Sequence, residues 1–366
     1  MRLMVKGVAK LLLLLVIGIS QPVLASSESN PITFAADGNK LSGLLDVPAN
    51  GEAHALVIIV HGYGKTNVVE QNWYFDLRVH FAKEGIATFV WDKPGCGTSE
   101  GEFDPNQPVK SSAGEVLAAA QFLRDQNIPG SQKIGLWGIS RAGWIAPLAM
   151  SQDDEIKFWI SVSGVDAKES FGYLLQSNWK LEGYDNAEIE HLYGQWLNGN
   201  RIVANAGAFD DYLAATVDLR SDPFFDYMSG GDTSIGKAGF SALVENWREL
   251  GQTIDSDSGL ALYVEGFPEM LGQLDVSVLA LFGERDSIVD WRSTRQLYEE
   301  TIGQNPNATL RIATFPDGNH NLHQSENGSF KEMLEILSSP KIVAGYYDAI
   351  SAWISEVVAA EEEPES

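Results

Sequence analysis

The chain has 366 residues, 44% of them hydrophobic and 10% aromatic, enough to bury a large core; one catalytic domain with an insertion, or two domains, fits that length. Its 25 Lys plus Arg against 50 Asp plus Glu give a net charge of −25, which argues against a nucleic-acid partner and would repel an anionic membrane face. Cys96 is the only cysteine, so no intramolecular disulfide can form and the fold must rest on its core.

Residues 1–25 read as a cleaved targeting segment. Arg2, Lys6 and Lys10 precede the apolar run Leu11 to Ile19, and Val23-Leu24-Ala25 supplies small residues at the usual cleavage spacing. The run is about half the ~20 residues that cross a bilayer. No cysteine follows it for lipid attachment, so the expected product is periplasmic or extracellular, with no stable membrane anchor. Loss of the three basic residues leaves about −28 by the same count. At the other end, residues 359–366 read as a solvated acidic tail.

Ile32 to Phe34 and Leu41 to Val47 flank the turn signal Asp37-Gly38-Asn39, which predicts an opening β-hairpin. Ala55 to Val60 is a continuous apolar run, as expected of a strand buried on both faces, and it ends in His61-Gly62-Tyr63-Gly64. Helical spacing over Trp73 to Lys83 leads to a second run, Ile86 to Trp91, which ends in Asp92-Lys93-Pro94-Gly95-Cys96-Gly97. Ser112 to Asp125 places Val116, Ala119, Ala120 and Leu123 on one helical stripe. Lys133 to Trp137, Phe158 to Val162 and Val276 to Phe282 complete the apolar strands. Strand and helix in alternation predict an α/β fold, a mainly parallel sheet flanked by helices.

Between Gly164 and Gln273 the rhythm breaks into helical or irregular stretches rich in aromatics, among them Phe171, Tyr173, Trp179, Tyr184, Trp196, Phe224, Phe225, Tyr227, Trp247 and Tyr263. Residues 165–273 are expected to form a helical lid inserted into a core of residues 26–164 and 274–358. An ordinary helical domain whose aromatics fill its own core is the competing reading.

The chemistry centres on Gly138-Ile139-Ser140-Arg141-Ala142-Gly143, where a strand runs straight into helical character. A serine on such a turn projects its hydroxyl above the sheet, and the helix N-terminus behind it favours developing negative charge. A helix-capping serine would have the same sequence context. The hydroxyl needs a base and the base an orienting acid, found in chain order Ser, acid, His. Asp286 lies just past the strand Val276 to Phe282, with Asp290 as rival acid on the same loop. His320 follows Leu310 to Phe315, with His323 as rival base. Among the other histidines, His61 is expected to hold its loop by hydrogen bonding, and His54, His80 and His191 to be surface or packing residues. The His61-Gly62-Tyr63-Gly64 turn can aim a backbone N–H at the reacting carbonyl oxygen, so the N–H groups of Tyr63 and Arg141 are the expected oxyanion donors.

Taken together, His61 to Gly64, Asp92 to Gly101, Gly138 to Pro147, Gly283 to Asp286 and Asn319-His320 make the chain resemble an α/β-hydrolase of the lidded esterase and serine-aminopeptidase-like group. Ala142 departs from the glycine usual at the end of the elbow motif. The resemblance implies a Ser140-Asp286-His320 triad, an acyl-enzyme resolved by water, no cofactor, and a small ester or acyl substrate. Peptide, thioester and lactone bonds remain open. A dinucleotide site at Gly95-Cys96-Gly97 lacks the third glycine at the right spacing, Asp255-Ser256-Asp257-Ser258-Gly259 misses a calcium loop's spacing, and a non-catalytic binding protein on the same fold is the competing class.

Overall fold

The computed structural model describes residues 27–229, 235–249, 253–255 and 257–360. The expected targeting segment and residues 361–366 of the expected tail lie outside them.

The opening hairpin is present as β1 (Ser27–Ala36) and β2 (Asn39–Pro48), paired antiparallel about the Asp37-Gly38 turn. It is followed by β3 (Ala55–Val60), α1 (Val68–Gln71), α2 (Phe75–Lys83), β4 (Ile86–Trp91), α3 (Val109–Asp125), β5 (Ile134–Ile139), α4 (Ala142–Met150) and β6 (Ile156–Val162). The expected helix over Trp73 to Lys83 is therefore shorter, because Asn72 and Tyr74 adopt left-handed backbone conformations (φ 53° and 58°) and separate α1 from α2. Helix α3 starts earlier than its apolar stripe suggests, directly after Pro108, and buries all four stripe residues.

After β6 come the helices α5 (Phe171–Leu181), α6 (Asn186–Ala204), α7 (Phe209–Ala215), α8 (Pro223–Met228) and α9 (Lys237–Glu249), the short pair β7 (Thr253–Ile254) and β8 (Ala261–Leu262), and α10 (Phe267–Leu271). The sheet resumes with β9 (Ser277–Gly283), α11 (Trp291–Glu300) and β10 (Thr309–Phe315), and the chain ends in α12 (Phe330–Ile336) and α13 (Tyr346–Ala360). Helix α13 continues through Ala359 and Ala360, into what reads in sequence as tail, since Val358 still packs under the sheet.

Among the described residues eight strands form one sheet in the order β1-β2-β4-β3-β5-β6-β9-β10, parallel from β4 onward. The period of two along each strand explains the continuous apolar runs. Leu56, Ile58 and Val60 of β3 join the core on one face with α3 and α4, while Val57 and Ile59 join the core on the other with α2 and α13.

The segment between β6 and β9 has a core of its own, built on Leu174, Leu175, Trp179, Ile189, Leu192, Trp196, Leu219 and Phe224. It is tied to the sheet domain through α5: buried Asn178 donates from Nδ2 to Ser287 O at 3.3 Å and accepts from Phe330 N at 2.8 Å.

Candidate functional site

Strand β5 ends at Ile139, and Ser140 takes a left-handed backbone conformation (φ 57°) before α4 begins. A non-glycine residue in that region is strained, and such strain persists only where the surroundings over-determine it. They do so here: Ser140 N donates to Val162 O at 3.0 Å, and Ser140 O accepts from Gly143 N at 2.7 Å. Glycine at 138 leaves the room that Ala142 fills, since a Cβ there would lie 2.8 Å from the Ala142 Cβ. The alanine at the end of the motif is thus accommodated across the turn.

Asp286 and His320 meet because the loops after β9 and β10 approach at backbone distance. A Cβ on Gly283 would fall 2.4 Å from Gly318 O and 2.3 Å from Asn319 O, so only glycine permits the approach. His320 Nδ1 lies 2.8 Å from Asp286 Oδ2, in a buried pair. The other carboxylate oxygen accepts from Ile288 N at 2.8 Å and Val289 N at 3.0 Å, which fixes its orientation. A carboxylate so placed makes Nδ1 the protonated nitrogen of a neutral imidazole and leaves Nε2 as the acceptor.

The rival acid is occupied elsewhere, and the rival base faces no carboxylate among the described residues. Asp290 caps α11, accepting from Arg292 N at 3.1 Å and Ser293 N at 3.4 Å. His323 is partly buried, with its pKa pushed down by burial, and its Nδ1 has no partner among the described residues. His61 acts as a loop anchor: it is buried, Nε2 donates to Trp91 O at 2.5 Å, and Nδ1 accepts from Tyr74 Oη at 3.3 Å. Burial, reinforced by the Lys93 cation, pushes its pKa down to about 3, so it stays neutral. His80 meets Ser351 Oγ, and His191 pairs with Asp218 at the surface.

Gly62 touches the elbow, where a Cβ would lie 3.3 Å from Ser140 Cβ and 3.1 Å from Ile139 O. The expected donors Tyr63 and Arg141 line the same cavity as Ser140 and His320. Arg141 directs its guanidinium away from that role, with Nη1 donating to Ser112 Oγ at 3.1 Å and Nη2 to Gln107 O. The cavity measures about 1540 Å³, larger than a typical small-molecule site. Its walls come from the core at Trp73, Tyr74 and Tyr347 and from the inserted segment at Phe171, Tyr212, Trp247 and Tyr263. The inserted aromatics divide: Trp179, Trp196 and Phe224 fill the segment's own core, while Phe171, Tyr212, Trp247 and Tyr263 line the cavity.

Two polar residues here escaped the sequence reading. Lys93 sits inside the recognised Asp92 to Gly101 stretch, where a lysine in a buried turn was the available signal. Glu169 had none, being one acid among many. It lines the cavity, accepts from Ala261 N at 2.8 Å, and burial pushes its pKa up to about 7. The unfolded chain loses this proton near the ordinary glutamate value and the folded chain only near 7, so stability falls as pH rises between the two and levels off above. Glu169→Gln should remove that slope, raising the melting temperature relative to wild type at pH 8 but not at pH 4.5. Parallel melting-temperature curves across that range would contradict the assignment.

The remaining motifs have structural work. A Cβ on Gly95 would lie 2.3 Å from Phe103 N, so this glycine lets two stretches of the chain's own backbone meet. Asp255 Oδ1 accepts from Ser258 N, Ser258 Oγ and Lys168 Nζ at 2.8, 2.6 and 3.1 Å, which commits this carboxylate to Ser258 and Lys168.

A family model described as serine aminopeptidase, S33, matches residues 51–168, a segment that includes the His-Gly turn and the elbow but ends before Asp286 and His320. An esterase from Pyrococcus furiosus superposes over 94% of this chain and 95% of its own with a TM-score of 0.51 at 16% identity. The likeness is one of fold, and the fold of this chain is that of an α/β-hydrolase. Est1E from Butyrivibrio proteoclasticus, solved with ferulic acid, covers 90% of this chain and 99% of its own with a TM-score of 0.50 at 16% identity. In sequence, this chain is 33% identical over 134 residues to a thiohydrolase of Aspergillus aculeatus, a match spanning 35% of this chain and 39% of that relative's length.

Proposed function

We propose that this α/β-hydrolase is an exported serine hydrolase that cleaves carboxylic esters through an acyl-enzyme. The observation that carries the proposal is His320, paired with buried Asp286 and lining the same cavity as Ser140 on its strained turn. In this reading Ser140 Oγ attacks the ester carbonyl while His320 Nε2 takes the hydroxyl proton, and the carbonyl π electrons move onto oxygen. That oxyanion accepts from the N–H groups of Tyr63 and Arg141. Collapse expels the alcohol, which receives the proton from His320. Water then repeats the sequence on the acyl-enzyme, releasing the acid and restoring Ser140. Asp286 steadies the imidazolium between the two transfers.

The aromatic walls contributed by residues 165–273 favour acyl or aryl esters, with that segment acting as the lid. A cavity of this size should reward longer acyl chains, at about 0.8 kcal/mol per buried methylene. A second reading, hydrolysis of a substrate bearing an amine, draws support from Glu169, whose carboxyl could meet an ammonium group within the cavity. The two separate in one experiment: kcat/KM over p-nitrophenyl esters of increasing chain length beside aminoacyl-nitroanilides, with fluorophosphonate labelling mapped by peptide mass. Rising kcat/KM with ester chain length and a label on Ser140 are expected. Preference for the nitroanilides would favour the second reading, and absence of any label would leave a binding protein on this fold.

A further inference from the structure

The loop after β3 is held from the far side by a lysine. Lys93 follows β4, and its ammonium donates to Gly62 O at 2.6 Å and Gly64 O at 2.8 Å. Its own N–H donates to Thr66 Oγ1 at 2.9 Å. The base from which it reaches is rigid: fully buried Asp92 accepts from Val68 N at 2.6 Å, and Ser99 Oγ donates to Asp92 O at 2.7 Å. Gly97 packs so closely that a Cβ would lie 2.3 Å from Asp92 Oδ2.

The strand order decides what this clamp does. In the sheet β3 lies between β4 and β5, so the loop after β3 has Lys93 on one flank and Ser140 on the other. In a trans peptide the carbonyl and the following N–H point in opposite directions. Drawing the Gly62 carbonyl toward Lys93 therefore turns the Tyr63 N–H toward the flank of Ser140, where Gly62 already abuts the elbow. Glycines at 62 and 64 leave these peptide planes otherwise free to rotate.

We propose that Lys93 is a positioning residue, which sets the Gly62–Tyr63 peptide so that its N–H serves as an oxyanion donor. The inference rests on the serine hydrolase reading above and adds to it the group that preorganises the hole. A preorganised donor acts on the charge that develops in the transition state and hardly on the bound ester.

The test compares wild type, Lys93→Met and Lys93→Arg in the full chain. Readouts are kcat and KM on p-nitrophenyl butyrate, inhibition by an alkyl trifluoromethyl ketone, whose adduct with serine carries an oxyanion, and fluorophosphonate labelling of wild type. Lys93→Met should lower kcat by about ten- to hundredfold with KM within about twofold, and weaken the ketone by the same factor as kcat/KM. Lys93→Arg, which keeps a cationic donor, should recover most of the loss. Should Lys93→Met fail to fold by circular dichroism, Lys93→Gln is measured in its place with the same expectations. A folded variant with wild-type kcat and ketone affinity, or a loss confined to KM, overturns the inference while leaving the hydrolase reading intact. A wild-type protein that takes no label at Ser140 overturns that reading and the inference together.

Discussion

Ser140→Ala is expected to lower ester turnover by ~10⁴-fold or more, the scale on which loss of a triad member is felt. The substitution removes one hydroxyl and no core volume. It keeps a Cβ at the same left-handed backbone position, so the strain at φ 57° is unchanged and the melting temperature should stay at the wild-type value. The contacts that hold the turn, Ser140 N to Val162 O and Gly143 N to Ser140 O, are backbone contacts and survive. Steady-state rates with parallel thermal melts check both halves. A variant retaining more than a few per cent of wild-type rate would remove Ser140 from its proposed role, and loss of activity accompanied by unfolding would trace the effect to the turn.

The second large effect is a contrast between two acids on one loop. Asp286→Asn should cost about 10³- to 10⁴-fold in kcat, because an amide facing His320 Nδ1 can present its NH₂ and stabilise the wrong tautomer, and it offers no charge to the imidazolium. The fixed geometry sharpens this outcome. Asp286 Oδ1 is committed to the Ile288 and Val289 N–H groups, so the amide oxygen will keep that place and the NH₂ will face the histidine. Asp290→Asn should leave kcat near wild type, since asparagine caps a helix about as well as aspartate. Rates for both variants on one ester, with circular dichroism to verify folding, make the comparison. Equal and mild effects would mean that the imidazole is oriented by some other group.

The near-complete agreement on strands has a plain cause. Strands buried on both faces must be apolar at every position, so Ala55 to Val60 and Ile86 to Trp91 stand out without any tertiary information. Helix limits were less legible. The break between α1 and α2 depends on left-handed conformations at Asn72 and Tyr74, of which asparagine gives a weak hint and tyrosine none. The elbow was legible because its chemistry is local: Ser140, the strand before it and the helix after it are contiguous in the chain.

By itself, then, the sequence determined the α/β architecture, the serine turn, and the chain order in which an acid and a histidine follow it, all of which depend on short-range pattern. Only the tertiary structure decided which acid faces which histidine. Asp286 and Asp290 share a loop, and their assignments diverge because Gly283 lets the loop after β10 come within backbone contact while the start of α11 claims Asp290 for its free N–H groups. The same holds for Lys93, Glu169 and the division of the inserted aromatics between a core and a cavity wall. Each of these roles is set by neighbours distant in sequence, and burial and partner geometry, which no local pattern carries, turn an ordinary side chain into a clamp, a raised carboxyl or a wall.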